Sequence, residues 1–313
     1  MASTFDESRR TLLKYCEPNY YSTMQELLFT RSNGQTVAYF DYGQSGDAVF
    51  FHHGTPSAGP FQPHIRRNAD ANGFRIIEVV RPGYGSSTAI SDRSVITASQ
   101  INLEIADALG IENFAIFGTS GGGPHALASG LLAGNRCIAQ LIIAGLAPFD
   151  DPNIDFAAGM TEVDREKWLL PLFSMDDFVV SKSEEATNMS SYDFDQIKEM
   201  FDVDPDNPIS GERISSIQAI WQYSFMQGSI GWRDDHLAFL KPWGFSLGDI
   251  PMPVQLWAGA KDVNVPPAHA DYLKRMIPNS ELLIVENKNH STISEPAVES
   301  GFKWLRGFFN SHS

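Results

Sequence analysis

One stretch, Asn113–Leu131 (NFAIFGTSGGGPHALASGL), constrains this chain more than any other. It opens with the apolar run Phe114–Phe117, the pattern of a strand buried on both faces. It turns at Gly118-Thr119-Ser120-Gly121-Gly122 and then reads as a small-residue helix from Gly122 to about Leu132. A strand, a sharp turn with serine at its apex and a helix are the setting in which G-x-S-x-G presents a nucleophile. The serine must occupy a strained turn so that its oxygen stands clear of the backbone. The positions two before and two after it must be small, because strand and helix nearly touch there. Gly118 and Gly122 meet that need. The helix N-terminus behind Ser120 offers unpaired N–H groups and a positive dipole end, both suited to a developing oxyanion. The pentapeptide alone has a second reading, a glycine-rich turn that packs tightly or binds phosphate.

The surrounding chain alternates strands with helices. Strand-like runs at Met24–Phe29 and Val37–Tyr42 flank Arg31–Gln35, where Asn33-Gly34 marks a hairpin turn. Further buried strands are expected at Ala48–His52, Arg75–Val80, Ile138–Ala144, Val254–Ala258 and Glu281–Val285. Helices are expected over Gln62–Asn72, Ala98–Leu109, His269–Ile277 and Glu295–Phe309. The pattern predicts an α/β fold: a mostly parallel, twisted sheet of about eight strands with helices on both faces. The 313 residues, 42% of them hydrophobic, suffice for one such domain with a sizeable insertion.

That insertion is expected where the alternation stops, between Pro148 and Pro242. It reads as helices joined by polar loops. Residues 150–212 hold 17 Asp or Glu against 4 Lys or Arg, most of the chain's formal net charge of −15. We expect a helical cap at 148–242, inserted after the sixth strand, over a core formed by 23–147 and 243–313, with an N-terminal extension at 1–22. The other reading of the acidic run is a solvated helical subdomain. Its many aromatic residues mostly fill the cap's own core. Trp168, Phe173, Trp221 and Phe225 are candidates for the wall of an apolar pocket, as is Tyr84 from the core.

A serine nucleophile needs a base, and the base needs an acid to fix its tautomer. Asp262, in AGAKDV, directly follows one strand, and His290, in NKNHS, directly follows the last. Catalytic groups in open α/β sheets gather at the carboxyl ends of strands. Ser120, Asp262 and His290 all fall there, in the order Ser…Asp…His. Each has a plain alternative alone: a turn-capping aspartate, a surface histidine. Asp150 and Asp151, after the sixth strand, are alternative acids. The oxyanion hole is expected from the backbone N–H groups of Gly121 and of Thr55, which follows His53-Gly54. His53 is read as buttressing that loop, His52 and His125 as packed histidines and His269 as a helix-start residue. Arg81 and Tyr84 are read as ordering their own loop.

HHGTPSAG, RPGYGSS, GTSGGGPHAL, LWAGAKDVNVP and NKNHS together resemble the α/β-hydrolase superfamily, most closely its cap-bearing serine hydrolases with an HG-x-P oxyanion loop. The resemblance spans about Met24–Phe309. APFDDP and RDDHLAFLKPWGF resemble a large group of members whose sequences do not imply their substrates. With serine in GTSGG, the elbow departs from the dehalogenase and epoxide-hydrolase branches, whose nucleophile is a carboxylate. It also lacks the GGSWGS-type elbow of prolyl iminopeptidases.

The expected function is hydrolysis through an acyl-enzyme, most readily of a carboxylic ester, thioester or lactone of a small or medium apolar substrate that is neutral or cationic. A carbon–carbon hydrolase, lyase or acyltransferase uses the same apparatus, and a low-turnover ligand receptor is an alternative of a different class. Net charge −15 argues against nucleic acid and anionic membrane surfaces as partners. No apolar run reaches membrane-spanning length. Cys16 and Cys137 form no metal or redox spacing, which fits a reducing, cytoplasmic setting. No metal or organic cofactor is expected. Oligomeric state leaves no signature.

Overall fold

The computed structural model describes residues 25–43, 45–59, 62–201 and 208–312. The extension expected at 1–22 lies outside these residues. β1 (Leu27–Thr30) and β2 (Thr36–Tyr42) form the expected hairpin, whose turn places Gly34 at φ +83°. β2 also pairs antiparallel with β4 (Phe74–Val79). All other pairs are parallel and involve β3 (Asp47–His52), β5 (Phe114–Thr119), β6 (Cys137–Ile143), β7 (Val254–Gly259) and β8 (Ser280–Val285). The eight strands run in the order β1-β2-β4-β3-β5-β6-β7-β8, which puts β5 in the interior of the sheet.

α1 (Pro63–Ala71), α2 (Val95–Ala108) and α3 (Gly122–Ala133) follow β3, β4 and β5. α2 begins three residues before the expected start because Ser94 caps it, its side chain accepting the Thr97 N–H at 3.3 Å. Among the described residues, five α-helices stand between β6 and β7: α4 (Glu162–Phe173), α5 (Met175–Ser191), α6 (Phe194–Phe201), α7 (Gly211–Ser224) and α8 (Ile230–Phe239). Thr161, Ser174 and Ser210 cap α4, α5 and α7. Acids occupy first turns here (Glu162 and Asp164, Asp176 and Asp177, Asp195, Glu212), where they oppose the helix dipole. Part of the segment's acidity thus has a local structural cause. α9 (Pro267–Met276) follows β7 and α10 (Ser294–His312) follows β8.

Period-two alternation sorts the sheet's side chains into two cores. Phe114 and Ile116 face Ile101 of α2, Leu127 of α3 and Leu273 of α9. Ala115 and Phe117 face Ile65 of α1 and Phe302 and Leu305 of α10. A third cluster lies within the inserted helices, built from Ala186, Ile197, Ile214, Ile217, Ile220, Trp221 and Phe225. Among the described residues no helix is long and apolar enough to cross a membrane.

Candidate active site

β5 ends in the turn that carries Ser120, at φ +52°, in the left-handed region that costs an L-residue energy. The turn is pinned from both sides. Ser120 N–H donates to Ile143 O at 2.8 Å, and Gly123 N–H donates to Ser120 O at 2.9 Å. A Cβ on Gly122 would lie 2.0 Å from His52 O, and one on Gly118 would lie 2.6 Å from Gly122 O. The two glycines flank the serine because backbone occupies the space a side chain would need.

Three side chains form one hydrogen-bonded line. Ser120 Oγ lies 3.0 Å from His290 Nε2, and His290 Nδ1 lies 2.7 Å from Asp262 Oδ2. Asp262 Oδ1 accepts the N–H groups of Asn264 at 2.9 Å and Val265 at 2.8 Å, which fixes the carboxylate plane. The loops carrying Asp262 and His290 are stitched together by Ala260 N–H to Val285 O and Lys261 N–H to Lys288 O. Asn289 Oδ1 accepts the N–H groups of Ser291 and Thr292, each at 3.0 Å, and so shapes the turn that presents His290. Arg213 of α7 donates to Ser291 O from the inserted segment. Burial disfavours the charged His290 ring, but the charge and hydrogen bond of Asp262 outweigh it and hold the imidazole above its usual pKa of 6.5. Asp151 is engaged elsewhere, accepting from Tyr272 and Asn153.

Thr55 and Gly121 meet beside the serine. A Cβ on Gly121 would lie 2.7 Å from Thr55 Cβ, and one on Gly54 would lie 3.7 Å from Ser120 Cβ. Neither Thr55 N–H nor Gly121 N–H donates to an acceptor among the described residues. His53 holds the Thr55 loop: its Nδ1 bonds Gly54 O at 2.9 Å and its Nε2 accepts the Arg81 N–H at 3.1 Å. Burial and the nearby Arg81 charge push its pKa well below 6.5, which fits a neutral ring in those two roles. His269 accepts the Ala147 N–H at 3.0 Å and so anchors the loop after β6.

A match to the family model of the α/β-hydrolase fold covers residues 47–297. The chain belongs to the α/β-hydrolase family. As an α/β-hydrolase it resembles solved structures over nearly its whole length. An esterase from Exiguobacterium antarcticum is 20% identical, with a TM-score of 0.65 over 91% of this chain and 99% of that one. An α/β-hydrolase fold protein from Nakamurella multipartita is 20% identical, at 0.62 over 92% and 100%. The epoxide hydrolase VrEH1 from Vigna radiata is 17% identical, at 0.64 over 93% and 99%. At these identities the likeness speaks for the fold. No functionally curated protein matched the sequence significantly.

The expected pocket residues of this α/β-hydrolase scatter. Tyr84 is fully buried and its hydroxyl donates to Asp235 Oδ2 at 2.9 Å, so it is a structural strut rather than a wall. Trp221 and Phe225 fill the inserted segment's own core. Phe173 is 83% exposed and lines an outer groove of about 740 Å³ with Met160, Arg165, Leu169 and Leu170, a groove that none of Ser120, Asp262 and His290 borders. Trp168 stands nearer the serine. Its indole is 6.3 Å from the ring of Phe239, and Phe239 Cζ is 3.1 Å from where a Gly121 Cβ would be. Phe239 was missed in the sequence, where one apolar residue of an amphipathic helix looks like any other. Among the described residues no group of three or more His, Cys, Asp or Glu is arranged to hold a metal ion.

Proposed function

We propose that the protein is a serine hydrolase in which Ser120 attacks an acyl carbon while His290 takes its proton and Asp262 orients His290. The Thr55 and Gly121 N–H groups receive the oxyanion. His290 returns the proton to the leaving group, and an acyl-enzyme remains on Ser120. His290 then activates water to release the acid. The observation that carries this reading is the unbroken Ser120–His290–Asp262 line at 3.0 and 2.7 Å beside two uncommitted backbone donors. A hydroxyl at the elbow favours acyl transfer, and carboxylic esters are the substrate class we assign. The inserted helices 148–242 act as the cap, with Trp168 and Phe239 as apolar wall on the oxyanion side.

The test is labelling with a fluorophosphonate, read by intact-mass and peptide mass spectrometry. One adduct on Ser120 that disappears in His290→Ala supports an activated nucleophile. A folded protein that takes up no probe overturns the assignment. A panel of p-nitrophenyl esters and thioesters then defines the acyl class.

A further inference from the structure

A buried carboxylate from the inserted segment grips the oxyanion loop. Asp235 of α8 has no solvent exposure. Its Oδ2 accepts from Thr55 Oγ1 at 2.7 Å, Arg81 Nη2 at 2.7 Å and Tyr84 OH at 2.9 Å. Its Oδ1 lies 2.6 Å from Arg93 Nη1 and 3.5 Å from His125 Nε2. Arg81 in turn donates from Nη1 to His53 O at 2.5 Å and from Nη2 to Gly54 O at 2.8 Å. Gly54 C=O and Thr55 N–H belong to the same planar peptide and point in opposite directions. An arginine that fixes the Gly54 oxygen therefore aims the Thr55 N–H the other way, and Gly54 itself packs beside Ser120, a Cβ on it lying 3.7 Å from Ser120 Cβ. Asp235 holds the Thr55 side chain and the Arg81 fork at once.

Stability alone does not explain this arrangement. Removing a carboxylate and two guanidinium groups from water carries a large desolvation cost before any attraction is counted, and apolar replacements are often as stable. The Arg81 and Arg93 charges outweigh the effect of burial and keep the Asp235 carboxyl well below its usual pKa. An ionised group in a dry site is a stiff anchor.

We propose that Asp235 is a positioning residue for catalysis, which sets the direction of the Thr55 N–H through Thr55 Oγ1 and Arg81 and so makes the oxyanion hole depend on the inserted segment. This rests on the reading of Thr55 N–H as an oxyanion donor. Asp235 touches no substrate; it acts through the loop.

Asp235→Asn strips the counter-charge from two buried arginines and is liable to unfold, so Thr55→Val carries the test. It removes the hydroxyl tie at nearly constant volume and leaves the N–H in place. On a p-nitrophenyl ester we expect kcat to fall about ten- to hundred-fold, the scale of a small misplacement of a catalytic group, with KM changed less than about threefold. Affinity for a trifluoromethyl ketone, whose hemiketal oxygen would occupy the oxyanion position, falls by the same factor as kcat/KM. Thr55→Ser, which restores the hydroxyl, regains most of the loss. If wild-type Ser120 takes up fluorophosphonate and Thr55→Val keeps both kcat and ketone affinity, the positioning role is overturned alone. If wild-type Ser120 takes up no probe, the hydrolase reading fails and the positioning role with it.

Discussion

Asp262 divides its two oxygens between two tasks: Oδ2 faces His290 Nδ1 at 2.7 Å, while Oδ1 receives the N–H groups of Asn264 and Val265. Asp262→Asn can keep the second task, because the amide oxygen still accepts both backbone donors. The amide NH₂ then faces His290 and selects the tautomer with its proton on Nε2, which cannot accept from Ser120. We expect a near-native melting temperature and a fall in kcat of about 10⁴, as in a serine protease with the same change. Ester kinetics beside thermal unfolding check it. Near-normal turnover would remove Asp262 from the acid role.

The same contact sets a pH dependence. In the proposed mechanism His290 must be neutral to act as base, and Asp262 raises its pKa above 6.5. The acidic limb of kcat/KM should therefore inflect above 6.5. In Asp262→Asn only the lowering effects of burial and of the Arg213 charge remain, and the limb should move below 6.5. For stability, the protonated ring is the favoured form in the fold. Its contribution is complete below pH 6.5 and is lost as pH rises through the raised value. NMR titration of the His290 ring in wild type and variant measures the shift directly.

Ser120 stands at φ +52° whether or not its hydroxyl is used. Ser120→Ala should abolish turnover and leave the melting temperature close to wild type, because alanine bears the same backbone strain. Ser120→Gly should be equally inactive and more stable than Ser120→Ala by about 1 kcal/mol, because glycine enters the left-handed region without steric penalty. Equal melting temperatures for the two would deny that strain is stored at the elbow.

Space around two glycines predicts opposite outcomes for one change. Gly122→Ala would force a methyl to within 2.0 Å of His52 O and 2.6 Å of His53 O, both backbone atoms. A loss of about 3 kcal/mol or more is expected. Gly307 lies within α10 with nothing inside 4 Å of its would-be Cβ. Gly307→Ala should stabilise by about 0.5–1 kcal/mol, the helix-propensity gain. Urea melts of the pair test both signs.

Much of this was legible in the sequence because it is local. The elbow, the hairpin at Asn33-Gly34 and the loops carrying Asp262 and His290 are each written in a few consecutive residues, and strand alternation places them at one edge of the sheet. Asp235 was not legible as a clamp. Its partner Arg81 lies 154 positions away, and nothing in RDDHLAFL says which of two adjacent acids reaches the Thr55 loop. Both are buried, but Asp235 meets Arg81 and Arg93, whereas Asp234 pairs with half-buried Arg233. The packing of Trp221 and Phe173 was illegible for a related reason. Aromatic content marks a helix as apolar on some face, but only packing shows that Trp221 turns into the inserted segment's core and Phe173 into solvent.

The ties between inserted segment and core differ in how water reaches them. Arg67–Glu212 and Lys241–Asp92 lie on the outside, with side chains 43–86% exposed, where added salt screens them over a distance of about 8–10 Å. Arg81–Asp235 is sealed, at 3% and 0% exposure, and the mobile ions of a buffer do not enter it. In brine the rim ties loosen while the central one keeps its strength. The Thr55 loop should therefore be indifferent to ionic strength, and salt should alter how the outer helices admit a substrate before it alters the chemical step.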